Sequence, residues 1–307
     1  MNDLNLIART AAMSAVLAGT VAAVHPASAA VPGIADSNFQ LVANEAFSSQ
    51  PDGGSVYSWG YGCASPTGHT FVPAAIATAS CGTMQIPGPT LVVDEGQVVT
   101  VTLTNNLPVA AGNTSILFPG FSVCTGALTA ATATAPATCT PAATPNGVNG
   151  VLTQEAVHGG SVTYSFVATK PGTYAYYSGT QADLQVEMGM YGAVVVLPTQ
   201  TGGFAACNKS ANLGIDYRLS SAGFAFDHPQ TCYDREYLFQ LAEMQSSIHD
   251  EALVQKTACD AAIAGAGPGV AVTCPVIAVH SEPYHPNYFL VNGRSMPDDM
   301  EPNYAAM

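Results

Sequence analysis

Residues 86–108 read IPGPTLVVDEGQVVTVTLTNNLP, and their pattern decides the fold. The corner Pro87-Gly88-Pro89 leads into apolar residues on alternate positions, Leu91 and Val93 before Gly96, then Val101 and Leu103 among threonines. Period-two alternation puts one face of a strand in a core and the other in water, so the stretch predicts two half-buried strands around a Gly-bounded turn. Asn105-Asn106-Leu107-Pro108 ends the run, since Pro cannot donate to a strand ladder.

The same punctuation repeats outward. Phe39–Phe47 (FQLVANEAF) and Ser55–Gly62 (SVYSWGYG) predict strands joined by the turn Pro51-Asp52-Gly53-Gly54. Ser115–Val123 (SILFPGFSV), Ser161–Ala168 (SVTYSFVA), Thr173–Ser178 (TYAYYS) and Met190–Pro198 (MYGAVVVLP) predict four more. The Ala/Thr-rich insert between Gly126 and Gly147 has few large apolar groups and is expected on the surface. Many short strands with little helix predict the all-β class: a Greek-key β-sandwich or small barrel closed over residues 31–198.

Residues 199–307 differ. Thr199–Gly214 is linker-like, and Arg235–Met244 (REYLFQLAEM) alternates Tyr237, Phe239 and Leu241 as a strand does. Ile248, Ala252, Cys259 and Ile263 carry helical spacing and predict one short helix. Val276–Pro283 (VIAVHSEP) and Asn287–Pro297 (NYFLVNGRSMP) are further strand material. Two or three strands cannot close a sandwich, so this part reads as an incomplete second domain with an open edge.

Composition narrows the function. Charged residues make up 9% of the 307, with 21 acidic against 7 basic and a formal charge of −14. Nucleic-acid phosphates demand clustered Lys and Arg, so that class of partner is excluded. The acidic surface is compatible with attracting cations and equally with plain solubility. Residues 1–30 read as a signal peptide: Arg9, an apolar core from Thr10 to Val24, then Ala27-Ser28-Ala29. That core is too short to cross ~30 Å of hydrocarbon, and no later segment offers a membrane span. The expected location is therefore outside the cytoplasm, periplasmic or extracellular.

An exported chain lets its cysteines pair. The eight come in neighbouring twos: Cys63 with Cys81, Cys124 with Cys139, Cys207 with Cys232, and Cys259 with Cys274. Nearest-neighbour pairing would give four loop staples of about 3 kcal/mol each, although eight cysteines allow about 105 connectivities. No Cys-x-x-Cys supports a thiolate metal site. No G-x-S-x-G elbow, dinucleotide fingerprint or P-loop is present. Glu155 and Asp183 are solitary carboxylates.

The Ile86–Pro108 stretch resembles the opening of a cupredoxin domain in the multicopper oxidases. Gly172–Pro198 (GTYAYYSGTQADLQVEMGMYGAVVVLP) is similar to that family's GTYWYHSH…GLYGA segment. SILFPG, the SGT…DLQVEMG run and HPNYFLVNGRSMPD resemble one branch in particular, the large exported bacterial multicopper oxidases, some linked to manganese or iron oxidation. The likeness covers about Phe39 to Asp298. It implies a first cupredoxin-like domain over 31–198, the start of a second over 199–307, and copper as the family cofactor.

The resemblance also says where copper ligands would stand. The family holds a three-copper cluster with four His-x-His pairs, two of them in the first domain's HWHG and YHSH segments. Here Leu117 and Pro119 occupy the first pair of places, and Tyr177 and Gly179 the second. Leu, Pro and Gly offer copper no lone pair, and a lone phenol is a poor ligand. HCH-like and HPFH-like spacings of a blue-copper site are also absent.

Seven histidines remain: His25, His69, His158, His228, His249, His280 and His285. His280 and His285 flank Glu282, but on a strand they face opposite sides. Surface or hydrogen-bonded roles are expected for them, a turn role for His158, and core packing for Met188 and Met190 over a soft Cu(I) contact. The expectation is no catalytic, no cofactor-binding and no metal-ligating residue in this chain, with copper chemistry confined to further cupredoxin domains of a full assembly. Further domains or a partner chain would cover the open second domain. The alternatives are a copper-free exported structural or binding module and a small copper carrier using surface Met and His.

Overall fold

Val99, Val101 and Leu103 are completely buried, while Thr100, Thr102 and Thr104 between them face outward. Each outward threonine meets a hydroxyl across the ladder: Thr100 with Ser165 at 3.3 Å, Thr102 with Thr163 at 3.1 Å, Thr104 with Ser161 at 2.8 Å. Cross-strand hydroxyl pairs of this kind add to sheet stability. The computed structural model describes residues 31–73, 76–129, 137–141, 147–198, 225–226, 231, 236–267 and 269–296. The expected leader, the linker at 199–214 and the Cys207–Cys232 pair lie outside the described residues.

In chain order the strands are β1 (Gly33–Ala35), β2 (Asn38–Ser49), β3 (Ser55–Cys63), β4 (Phe71–Val72), β5 (Leu91–Asp94) and β6 (Val98–Asn105). There follow β7 (Gly126–Thr129), β8 (Thr138–Pro141), β9 (Val148–Asn149), β10 (Gln154–Glu155), β11 (Ser161–Val167), β12 (Gly172–Tyr177) and β13 (Tyr191–Leu197). The last three are β14 (Leu241–Met244), β15 (Tyr288–Val291) and β16 (Arg294–Ser295). Two α-helices are described, α1 (Ala182–Gln185) and α2 (Ser246–Gly265).

One sheet runs β11-β6-β2-β3, the other β12-β13-β5-β1-β4. Parallel pairings of β2 with β6, β1 with β5 and β13 with β5 sit among antiparallel ones. This is the mixed two-sheet, cupredoxin-like sandwich that the sequence predicts. Its core is aromatic: Trp59, Tyr61, Tyr164, Phe166 and Tyr176 are all buried between the sheets. Gly60 and Gly62 on β3 are needed for close approach, because a β-carbon on Gly62 would stand 2.2 Å from the Thr83 carbonyl carbon. Only without side chains there can the segment Gly82–Gln85 cross the strand.

Three predicted strands need correction. Ser115–Val123 forms no strand but touches its neighbours through single bridges, Leu117 with Tyr177 and Cys124 with Ser165. Pro119-Gly120 makes a turn there, with the Phe121 N–H donating to the Phe118 carbonyl and Gly120 at φ 95°. Val276–Pro283 is extended yet joins no sheet, because α2 side chains satisfy its backbone: Gln255 bonds both sides of Ala278 and Glu251 accepts from the His280 N–H. Of the described residues 236–244 in the expected strand Arg235–Met244, Leu241–Met244 form one.

The insert holds the hairpin β7-β8 beside the Cys124–Cys139 disulfide. Cys63–Cys81 and Cys259–Cys274 are also bonded, so three of the nearest-neighbour pairs form. Helix α2 packs on β3, burying Ile248, His249, Ala252 and Cys259. The sheet β14-β15-β16 docks through Met244 and Leu290 onto Val56. Tyr288 reinforces the dock by donating to the Asp52 carboxylate at 2.8 Å, and Ser295 by donating to Gln50 at 2.9 Å.

Candidate metal centre

The four positions matched to copper-ligand histidines converge on one face of the sandwich. The Leu117 N–H donates to the Tyr177 carbonyl at 2.8 Å, and the Tyr177 N–H returns to the Leu117 carbonyl at 3.3 Å. A β-carbon on Gly179 would lie 2.7 Å from the Leu117 Cγ. Alternation explains the shared direction: Ile116, Phe118, Tyr176 and Ser178 are buried, whereas Leu117, Pro119, Tyr177 and Gly179 point the other way and are partly or fully exposed.

Chemically this face is barren for copper. Leu117 and Pro119 line a shallow cavity of about 320 Å³ with Phe121, Val123 and Leu152. Val151 and Leu152 add exposed apolar surface beside it. No imidazole, thiolate or carboxylate lines that cavity. Among the described residues no group of three or more His, Cys, Asp or Glu could hold a metal ion. The residues present therefore do not fit a copper cluster.

Beneath the face, hydroxyls and amides bond to one another. Gln185, completely buried, accepts from Thr114 at 2.8 Å and Ser178 at 2.7 Å and donates to the Asn113 carbonyl at 2.8 Å. Ser115 pairs with Thr180 at 2.9 Å, and Thr180 donates to Glu155 at 2.9 Å. Glu155, solitary in sequence, thus has a structural partner. Nearby, burial pushes the phenols of Tyr61, Tyr164 and Tyr176 far above their ordinary range, so all three stay protonated and donate to the carbonyls of Ser115, Gln154 and Pro89.

The other singled-out residues fall apart from one another. Met188 and Met190 are wholly buried in the core. His158 sits in a turn with Nδ1 2.7 Å from the Leu107 carbonyl. His280, 91% exposed, meets Glu251 at 2.8 Å. Missed by sequence reasoning is the pairing of Glu187 with His249. His249 is completely buried, its Nδ1 2.5 Å from the Tyr57 carbonyl and its Nε2 3.6 Å from Glu187 Oε1. Glu187 also accepts from the Gln245 N–H at 2.6 Å and the Tyr284 hydroxyl at 2.8 Å. These contacts tie the start of α2 to the sandwich, and no spacing in the sequence announces them.

A family model described as "Multicopper oxidase" matches residues 139–201, the part that contains the Gly172–Pro198 landmark. The multicopper oxidase likeness is thus carried by the family model as well as by the quoted motifs, and a partial N-terminal cupredoxin region fits it. Among solved structures, a blue copper oxidase from Nitrosomonas europaea is similar at 16% identity, over 85% of this chain and 54% of that chain, with TM-score 0.44. A copper nitrite reductase from the same organism is similar at 20% identity, over 73% and 54%, with TM-score 0.39. A multi-copper oxidase from Pseudomonas thermotolerans is similar at 18% identity, over 54% and 30%, with TM-score 0.36. The chain spans at most 54% of the length of each. No curated protein matches it.

Proposed function

We propose that this chain is the N-terminal, architectural part of an exported multicopper-oxidase-like protein. In that reading, copper-dependent oxidation of phenols or metal ions belongs to the full assembly, and this part lacks the copper-ligand histidines. The observation that carries the reading is the face made by Leu117, Pro119, Tyr177 and Gly179. Two distant segments are bridged there, and Leu, Pro, Tyr and Gly stand where the resemblance expects imidazoles, which suits packing against a copper-bearing domain and not coordination. The family match over 139–201 supports the same reading.

Copper content is the test. The purified chain, expressed with added copper and dialysed, is expected to hold well under one copper per molecule by elemental analysis and to show no blue absorption band. Stoichiometric copper would overturn the architectural reading.

A second reading is a copper-free exported structural or binding module whose open sheet pairs with a partner. The exposed Leu241 and Phe289 on the β14-β15-β16 sheet, with Met296 just after it, favour it. Downstream coding sequence discriminates: HPFH-like motifs in it support the oxidase part, and their absence supports the module.

A further inference from the structure

Away from the converged face lies a larger, open groove of about 790 Å³. Its walls are apolar. Leu241, Phe289 and Met296 form a rim that is 75%, 62% and 70% exposed, and Val186 and Leu290 lie deeper. Its polar groups are of one kind: the carboxylates of Glu187 and Glu243 and the phenols of Tyr191 and Tyr284. No Lys, Arg or His lines it.

Each polar group has spare capacity. Glu187 accepts from Gln245 and Tyr284 and has the buried His249 Nε2 3.6 Å from its Oε1, which still leaves part of its roughly four acceptor sites open. Glu243 forms no ion pair among the described residues and is exposed. Burial, with Glu187 nearby, pushes the Tyr191 and Tyr284 phenols well up, so both remain neutral and can donate and accept. The Tyr191 hydroxyl is shut from solvent and has no hydrogen-bond partner among the described residues, which leaves a polar group uncompensated.

We infer that this cavity binds a small amphipathic organic cation, an ammonium group on an apolar body. The ammonium would sit between Glu187 and Glu243, within reach of the faces of Tyr191 and Tyr284, where ring quadrupoles attract positive charge. The apolar body would lie against Leu241, Phe289 and Val291, which share one face of the sheet. The net charge of −14 adds a favourable long-range field. No copper enters this inference, but the rim of Leu241, Phe289 and Met296 is also the surface of the second reading, so a partner seated on the open sheet would compete with the cation.

The test uses three probes of one shape, hexylammonium, hexanol and hexanoate, titrated into the full chain by calorimetry at low salt. Hexylammonium is expected to bind saturably and at least tenfold more tightly than hexanoate, with hexanol between them. Glu243→Gln, at an exposed position, is expected to weaken hexylammonium several-fold and leave hexanol unchanged; Phe289→Ala is expected to weaken both. Absence of saturable binding, equal affinity for the cation and the anion, or a Glu243→Gln variant that binds hexylammonium as the parent does would each overturn the inference.

Discussion

Gly179 faces Leu117 so closely that a β-carbon on the glycine would stand 2.7 Å from the leucine Cγ. Two segments far apart in sequence meet here, joined by the reciprocal backbone bonds of Leu117 and Tyr177. The pair can therefore be tested as a packing unit. Gly179→Ala is expected to cost about 1–3 kcal/mol by overpacking, read from the urea midpoint. In a Leu117→Ala background the same change should cost much less, and a double-mutant cycle measures the coupling. Equal costs in both backgrounds would mean the two residues do not constrain each other.

The buried phenols set an alkaline limit. Tyr57, Tyr61, Tyr164 and Tyr176 all have their ionisation pushed up, chiefly by burial. The unfolded chain releases these protons near pH 10, whereas the folded chain keeps them. Above that pH the unfolded state binds fewer protons, so stability falls as pH rises. Ultraviolet titration should show the exposed tyrosines ionising first and the buried ones only together with loss of circular dichroism. Ionisation of all of them in a folded chain would contradict the buried hydroxyl bonds.

On the acid side, Glu251 has its carboxyl held below the usual range, mainly by the His280 backbone N–H and then by the His280 ring. A depressed carboxylate contributes stability above its unfolded value of 4.5 and loses it as pH falls through the folded value. The pair is exposed, so the effect is small. The thermal-midpoint difference between the parent and Glu251→Gln should hold steady above about pH 5 and shrink below it. A difference that grows toward acid would reverse the assignment.

The Cys259–Cys274 disulfide closes a loop with a sequence separation of 15 at the end of α2. Replacing both with Ala is expected to cost about 3 kcal/mol through the freed unfolded chain. Denaturant unfolding followed by Trp59, the single tryptophan and wholly buried, reads the loss. A change under about 0.5 kcal/mol would mean that Cys259, buried among the core residues, is not held by the staple.

Much of the fold was legible because strands announce themselves locally. Val101 and Leu103 against Thr100 and Thr102 can be read without a partner strand, since burial of one face forces the alternation. Ser115–Val123 misled because apolar content outweighed the Pro119-Gly120 turn signal that was in plain view. Val276–Pro283 misled for a different reason: its backbone finds partners on Gln255 and Glu251 of a helix, a pairing that leaves no mark on its own residues. The short helix at Ala182–Gln185 and strand β1 were too brief to show a period.

By itself the sequence determined that positions 117, 119, 177 and 179 carry no imidazole, because side-chain identity limits coordination chemistry wherever the chain goes. It also set the strand faces, while the cysteine spacing favoured neighbouring pairs that the structure then showed to be bonded. Only the tertiary structure decided that Leu117 would meet Tyr177 and Gly179, that Glu187 would reach His249, and that Glu187 and Glu243 would share one apolar cavity. Those meetings join residues whose separation along the chain exceeds any local period, so they depend on how the sheets and α2 pack and not on any pattern within a single segment.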